Sequence, residues 1–190
     1  MFTEVFRFWT VTILVLVAID LIVGRWWWSS SKERRYDPLI LQASLRYQID
    51  PALVKAVIWK ESGFEPKARG RAGEIGLMQI RSLAAHEWAA AEKVPGFRDE
   101  NLADPSINTL AGSWYLSKLL KRYRQTDNPI PYALADYNAG RSHVLRWKTG
   151  VATTNNTQFR KQVSFPSTQL YIQQVLERHQ HYRAKTFAKN

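Results

Sequence analysis

Glu61 is the residue whose type and position most plainly call for a chemical explanation. It lies in the stretch VIWKESGF, Val57–Phe64. Upstream, Asp50-Pro51 has the form of an N-cap followed by proline at the first helical position. Downstream, Gly63 is a natural stop. On a helical wheel with Leu53 at zero, Val57 falls near ~40°, Val54 near ~100° and Ile58 near ~140°. Glu61 falls near ~80°, inside that apolar stripe, and Lys55 lies outside it. A carboxyl group in an apolar wall has its charged form disfavoured, so its pKa rises. That makes it a proton donor near neutral pH, which is what general-acid cleavage of a glycosidic bond requires. The competing reading is structural: Glu61 pairs with a buried arginine or caps a neighbouring helix.

Other chemistries find little purchase. The chain has no cysteine, which excludes disulfides, a thiolate nucleophile and a thiolate metal site. The four histidines form no ligand pattern, since His179 and His181 are two apart and do not share a helix face. There is neither a phosphate-binding glycine loop nor a nucleophile elbow. The sequence therefore predicts no cofactor and no metal.

A formal charge of +11 points either to an anionic partner (nucleic acid, anionic lipid or an acidic polymer) or simply to solubility. The basic residues are scattered and no nucleic-acid motif organises them, so no nucleic-acid partner is predicted. A length of 190 residues suffices for one domain with a core plus an appendage, and 45% hydrophobic content with eight tryptophans excludes a disordered chain.

The elements that must position Glu61 read as helices. Asp37-Pro38 opens a first and Asp50-Pro51 a second. Asp104-Pro105 opens another, with Ile107, Leu110, Ala111 and Trp114 as its apolar stripe. Pro131 starts a helix that runs through Ala139 and stops at Gly140. The polar loop TTNNTQ precedes a last helix from about Ser167 to His181, with Leu170, Val175 and Tyr182 apolar. No strand-like alternation recurs. The glycine-rich stretch ARGRAGEIG follows Glu61 and is taken as part of the same site. In front stands the apolar run from Phe8 to about Trp28, close to the ~20 residues of a transmembrane helix and flanked by aromatic residues. A small-x-small cleavage site is missing, so a retained anchor is expected rather than a cleaved signal peptide. Four basic residues follow this run and only Arg7 precedes it, which by charge bias alone would keep the domain in the cytoplasm. The resulting division is an anchor with a short linker over 1–31, a charged linker over 32–36, a helical domain over 37–184 and a tail over 185–190.

Three ordered segments, ESGFEPKARGRAGEIGLMQI at 61–80, DPSINTLAGSWYLSKLL at 104–120 and ALADYNAG at 133–140, together resemble the catalytic domain of lytic transglycosylases, as does FPSTQLYIQQVL at 165–176. The resemblance implies a mostly α, lysozyme-like helical domain preceded by a single N-terminal transmembrane helix. It also implies cleavage of the MurNAc–GlcNAc bond of peptidoglycan with formation of 1,6-anhydro-MurNAc ends. Glu61 matches the family's single acid/base. Met78 and Gln79 match the segment facing sugar, Tyr137 and Asn138 the opposite wall, and Asn108 an architectural helix position. For Leu77, core packing is the preferred reading.

Departures stand out at three positions. Gly70 replaces the serine common nine residues after the acid, and Glu74 and Asp136 replace usually small residues. Glu74 is a possible auxiliary carboxylate, its ordinary role being a salt bridge to Arg69 or Arg71. The alternatives are a lysozyme-type hydrolase using Glu74, or a non-catalytic glycan-binding scaffold of an envelope machine. Because the implied substrate lies outside the cytoplasm, the expected location is the bacterial cell envelope. There the N-terminal helix would sit in the inner membrane, and the domain would act in the periplasm as a monomer open to envelope-complex partners.

Overall fold

Proline pairs and side-chain caps set the helices that carry the site. The computed structural model of the chain describes residues 31–185, together with Trp9, Leu16, Val17, Ile19, Asp20 and Leu21. The chain divides into two compact units, Met1–Tyr36 and Asp37–Asn190. The apolar run 8–28 expected to span a membrane lies largely outside the described residues, as does most of the 185–190 tail. No helix among the described residues is long and apolar enough to cross a membrane.

The second unit contains helices α1 (Asp37–Tyr47), α2 (Pro51–Ser62), α3 (Ser82–Ala91) and α4 (Pro105–Arg122). They are followed by α5 (Pro129–Ala139), α6 (Arg141–Trp147), α7 (Asn156–Gln162) and α8 (Pro166–Lys185). Short 3-10 turns occupy Asp99–Ala103 and Gly150–Thr153. Extended structure among the described residues amounts to the isolated bridges Arg69–Ile75 and Ile75–Ile80.

The Asp-Pro signals work as capping chemistry predicts. The Asp50 carboxylate accepts from the Ala52 N–H at 2.9 Å, and that of Asp104 from Ser106 and Ile107 at 2.8 and 3.0 Å. Each such cap is worth about 1 kcal/mol. Helix α5 starts two residues before the expected Pro131, because Asn128 accepts from the Ile130 N–H and Pro129 takes the first helical position. The TTNNTQ segment, expected to be a loop, contains the start of α7, where Asn155 caps the Gln158 N–H at 2.9 Å.

Helix α2 lies antiparallel to α8: the pairs Asp50–His179, Lys60–Gln174 and Glu61–Tyr171 run down the two helices in opposite senses. Helix α1 packs on α2 and α4, and α4 packs on α3 and α5. With neighbours around it, α2 is buried from Ala52 through Ile58 and not along one stripe. Lys55, which the wheel left outside the stripe, is only 1% exposed. Its ammonium sits 2.5 Å from an Asp37 carboxylate oxygen and 5.0 Å from the centre of the Tyr182 ring. The α4 stripe also differs from expectation. Ile107, Leu110 and Trp114 are half-buried, whereas Asn108, Thr109, Gly112 and Ser113 are buried beside Ala111 and Leu116. Small and polar residues face inward there because the site loop packs directly on this helix. In α8, Val175 and Tyr182 are buried as expected, but Leu170 is exposed.

Candidate functional site

Glu61 occupies the last turn of α2, and the chain leaves the helix by a sharp reversal. Gly63 takes the left-handed conformation (φ 55°) and caps the helix through its N–H on the Trp59 carbonyl. Phe64 is also left-handed (φ 64°), and its fully buried ring holds that conformation in place. The Ser62 hydroxyl donates to the Leu77 carbonyl at 2.8 Å, tying the helix end to the returning segment 76–80.

That segment is fixed by α4. The Asn108 amide donates to the carbonyls of Ile75 and Leu102 at 2.8 and 2.9 Å, while its oxygen accepts from the Met78 N–H at 2.8 Å. Gly76 (φ 81°) has no room for a side chain, since a Cβ there would stand 2.2 Å from the Asn108 amide nitrogen. Gln79 is left-handed (φ 47°), and its amide donates to the carbonyls of Ala68 and Gly76 at 3.1 and 2.9 Å. Such backbone strain clusters where a site must be held in one geometry.

An open cleft of about 390 Å³ results, lined on one side by Glu61, Glu74, Gln79 and Arg81 and on the other by Tyr115, Asp136, Tyr137 and Asn138. The Tyr171 hydroxyl, from α8, donates to Glu61 Oε1 at 2.6 Å. Burial raises the Glu61 carboxyl from its ordinary 4.5 to about 7; the negative charge of Glu74 adds to the rise, and the Tyr171 hydrogen bond and Lys60 oppose it. Burial likewise pushes the Tyr137 and Tyr171 phenols well above their ordinary value. Both therefore act as neutral hydroxyls. Tyr137 donates to the Met78 carbonyl at 2.7 Å, closing the two walls across the cleft floor, and its ring lies 5.6 Å from that of Tyr115.

Of the residues singled out from the sequence, Glu61, Glu74, Gln79, Tyr137 and Asn138 line this cleft together. Met78 does not do so by its side chain, which is fully buried against Gly112 and within 3.9 Å of the Ser113 hydroxyl. Its part in the wall is the carbonyl that holds Tyr137. The expectation that Met78 faces sugar is corrected accordingly: the loop turns the side chain into a slot that only a glycine at 112 leaves open. Glu74 makes no bridge to Arg69 or Arg71; its nearest cation is Arg81, at 4.0 Å. Asp136 is buried and accepts from Arg122 and from the Tyr123 hydroxyl, both at 2.7 Å, so it fastens α5 to the end of α4. Among the described residues no group of three or more histidines or acids could hold a metal ion.

Residues 38–160 match the family model of the transglycosylase SLT domain. The chain belongs to that family. It is 35% identical over 113 residues to a membrane-bound lytic murein transglycosylase F of Desulfosudis oleivorans, covering 58% of this chain and 23% of that protein. Against the soluble lytic murein transglycosylase of Escherichia coli it is 27% identical over 182 residues, 93% of this chain and 27% of the relative. The chain thus spans about a quarter of the length of these relatives. A solved structure of the lytic transglycosylase Slt of Pseudomonas aeruginosa superposes with a TM-score of 0.74 at 24% identity, covering 82% of this chain and 25% of that one, and shares its helical lysozyme-like fold.

Three residues of the site escaped sequence reasoning: Arg81, directly after the family segment 61–80, and the tyrosines Tyr171 and Tyr115, the former beyond the matched residues 38–160. Tyr171 lies in the quoted segment FPSTQLYIQQVL but is 110 positions from the acid it holds. Tyr115 lies in SWYLSKLL on the flank of α4, off the expected stripe. The one available signal for either tyrosine was an aromatic residue inside a family segment at a position that the stripe did not need.

Proposed function

We propose that this SLT-domain protein is a peptidoglycan lytic transglycosylase in which Glu61 acts first as acid and then as base. The observation that carries the reading is the Glu61 carboxyl, half-buried in the cleft wall, gripped by Tyr171 and raised to about 7. One group can serve both steps only if its pKa lies near the working pH. Glu61 gives its proton to the leaving glycosidic oxygen as positive charge develops at the sugar's C1. The substrate's own N-acetyl group stabilises that centre, and the ionised Glu61 then takes the proton of the C6 hydroxyl as its oxygen closes on C1. The product is a 1,6-anhydro end. Tyr171 holds the carboxyl on aim, while Gln79, Tyr137 and Asn138 bound the groove that receives the glycan. Met78 supports this wall through its backbone.

An anchor over residues 8–28, an inner-membrane position and a periplasmic domain complete the proposal, supported by the length of the apolar run and by a relative named as membrane-bound. Excess positive charge would then favour anionic headgroups or the acidic wall polymer. The test is mass spectrometry of fragments released from purified peptidoglycan by the full chain, beside Glu61→Gln. Fragments ending in 1,6-anhydro sugar, absent from the control, are expected. Intact polymer with a folded wild-type protein would overturn the reading.

A further inference from the structure

Two departures from the family pattern, a glycine at 70 and a glutamate at 74, turn out to be one packing event. A Cβ placed on Gly70 would stand 2.2 Å from Glu74 Oε2, 2.9 Å from the Glu74 Cβ and 3.0 Å from the Gln79 side-chain oxygen. A carboxylate oxygen can swing aside, but the Glu74 Cβ is fixed by the backbone. Gly70 has no left-handed φ, so its backbone would accept a side chain; the space would not. The volume in which the resemblance puts a serine hydroxyl is therefore filled here by a carboxylate.

That carboxylate is held firmly. The loop closes through Gly70 N–H on the Glu74 carbonyl at 2.8 Å and Gly76 N–H on the Ala68 carbonyl at 2.9 Å. The Ala72 N–H donates to Glu74 Oε2 at 3.0 Å, while Oε1 faces the guanidinium of Arg81 at 4.0 Å, beyond hydrogen-bond distance. The side chain is 25% exposed, lines the same cleft as Glu61, and its charge is felt at the Glu61 carboxyl.

We propose that Glu74 is a second catalytic carboxylate, which activates water and gives the enzyme a hydrolytic activity beside the transglycosylase one. The inference rests on the function proposed above. In the hydrolytic branch Glu61 donates its proton to the bridging oxygen as the C1–oxygen bond breaks. A water oxygen then bonds to C1, and the proton that water loses passes to Glu74. Glu74 returns that proton to solvent and Glu61 takes one back, so one water is consumed and a reducing end replaces the anhydro ring. In the lyase branch the C6 oxygen bonds to C1 and no water enters. Hydrolysing glycosidases use a second carboxylate beside the acid to activate the attacking water, and Glu74 is a carboxylate in the same cleft as Glu61.

The test is the ratio of reducing to anhydro fragment ends, which differ by one water in mass. It is measured on the full chain with purified peptidoglycan, with Glu61→Gln setting the background. Wild type is expected to give both ends, and Glu74→Gln to lower the ratio at least fivefold. The pair Gly70→Ser with Glu74→Ala, which restores a serine in the vacated volume, should lower it as much. Gly70→Ser alone should melt below the double variant, because the two side chains compete for one space. Anhydro ends alone from wild type, or an unchanged ratio in folded Glu74→Gln, would overturn the role of Glu74 and leave the lyase reading intact. Intact polymer with wild type would overturn both.

Discussion

The two ends of α2 each carry an acid, each acid is bound by α8, and the outcomes are opposite. At the first end, Asp50 accepts from His179 at 2.8 Å and from the Ala52 N–H at 2.9 Å, with Arg183 at 3.5 Å. The hydrogen bond from His179 leads in holding its carboxyl below the ordinary 3.8, and the backbone cap adds to it. At the other end Glu61 meets one neutral hydroxyl, and burial lifts it to about 7. The helix dipole accentuates the contrast, since its positive end favours Asp50 as an anion and its negative end disfavours Glu61 as one. Eleven residues along one helix therefore separate an acid held as an anion from one that burial disposes to keep its proton near neutral pH. The same partner helix serves both: α8 brings His179 and Arg183 to Asp50, and the neutral Tyr171 hydroxyl to Glu61.

The sharpest way to break this contrast is Glu61→Gln. It should keep the fold and lower bond cleavage about 10³-fold or more, read from fragment release. In the wild type the same rate should fall as pH rises through about 7, because the acid must be protonated to act. Asp50→Ala should do the reverse, with stability falling by about 2–3 kcal/mol from the lost cap and charged hydrogen bond. A folded pKa below the unfolded value means that this contribution is present above 3.8 and fades as pH falls, so denaturant melts of variant and wild type should converge in acid.

A smaller effect tests the cost of the raised acid. With a folded pKa above the unfolded value, the native state holds a proton that the unfolded chain has lost between 4.5 and about 7. Glu61 therefore destabilises the fold as pH rises through that window. Glu61→Gln should be more stable than wild type by about 2 kcal/mol at pH 8, with the gap closing near pH 4. Smallest is Tyr171→Phe, which removes the hydroxyl aiming Glu61. The cleavage rate should drop about tenfold, and the alkaline limb of the pH profile should move up, since the hydroxyl favours the ionised acid. An unmoved limb would show that Tyr171 acts on α8 packing alone.

Local rules made several elements legible before any tertiary contact was known. Asp50-Pro51, Asp104-Pro105, Gly63 and Gly140 mark helix ends because capping needs residues adjacent in sequence. The odd placement of Glu61 was visible because periodicity is local too, and the ordered family segments brought Gln79, Tyr137 and Asn138 into view beside it. What one-sided periodicity could not reveal was which other sides a helix would bury. Lys55 is enclosed because α1 and α8 close over α2, and the inner face of α4 is small and polar because the 76–80 loop needs Asn108 and Gly112 there. Met78 turned inward for the same reason. Tyr171 on Glu61, and Glu74 in the space above Gly70, are contacts made by side chains that meet only when helices and loops pack. The sequence determined where the chain turns and where its acid lies; the tertiary structure alone decided what surrounds that acid, because desolvation and hydrogen-bond geometry depend on neighbours that chain distance does not specify.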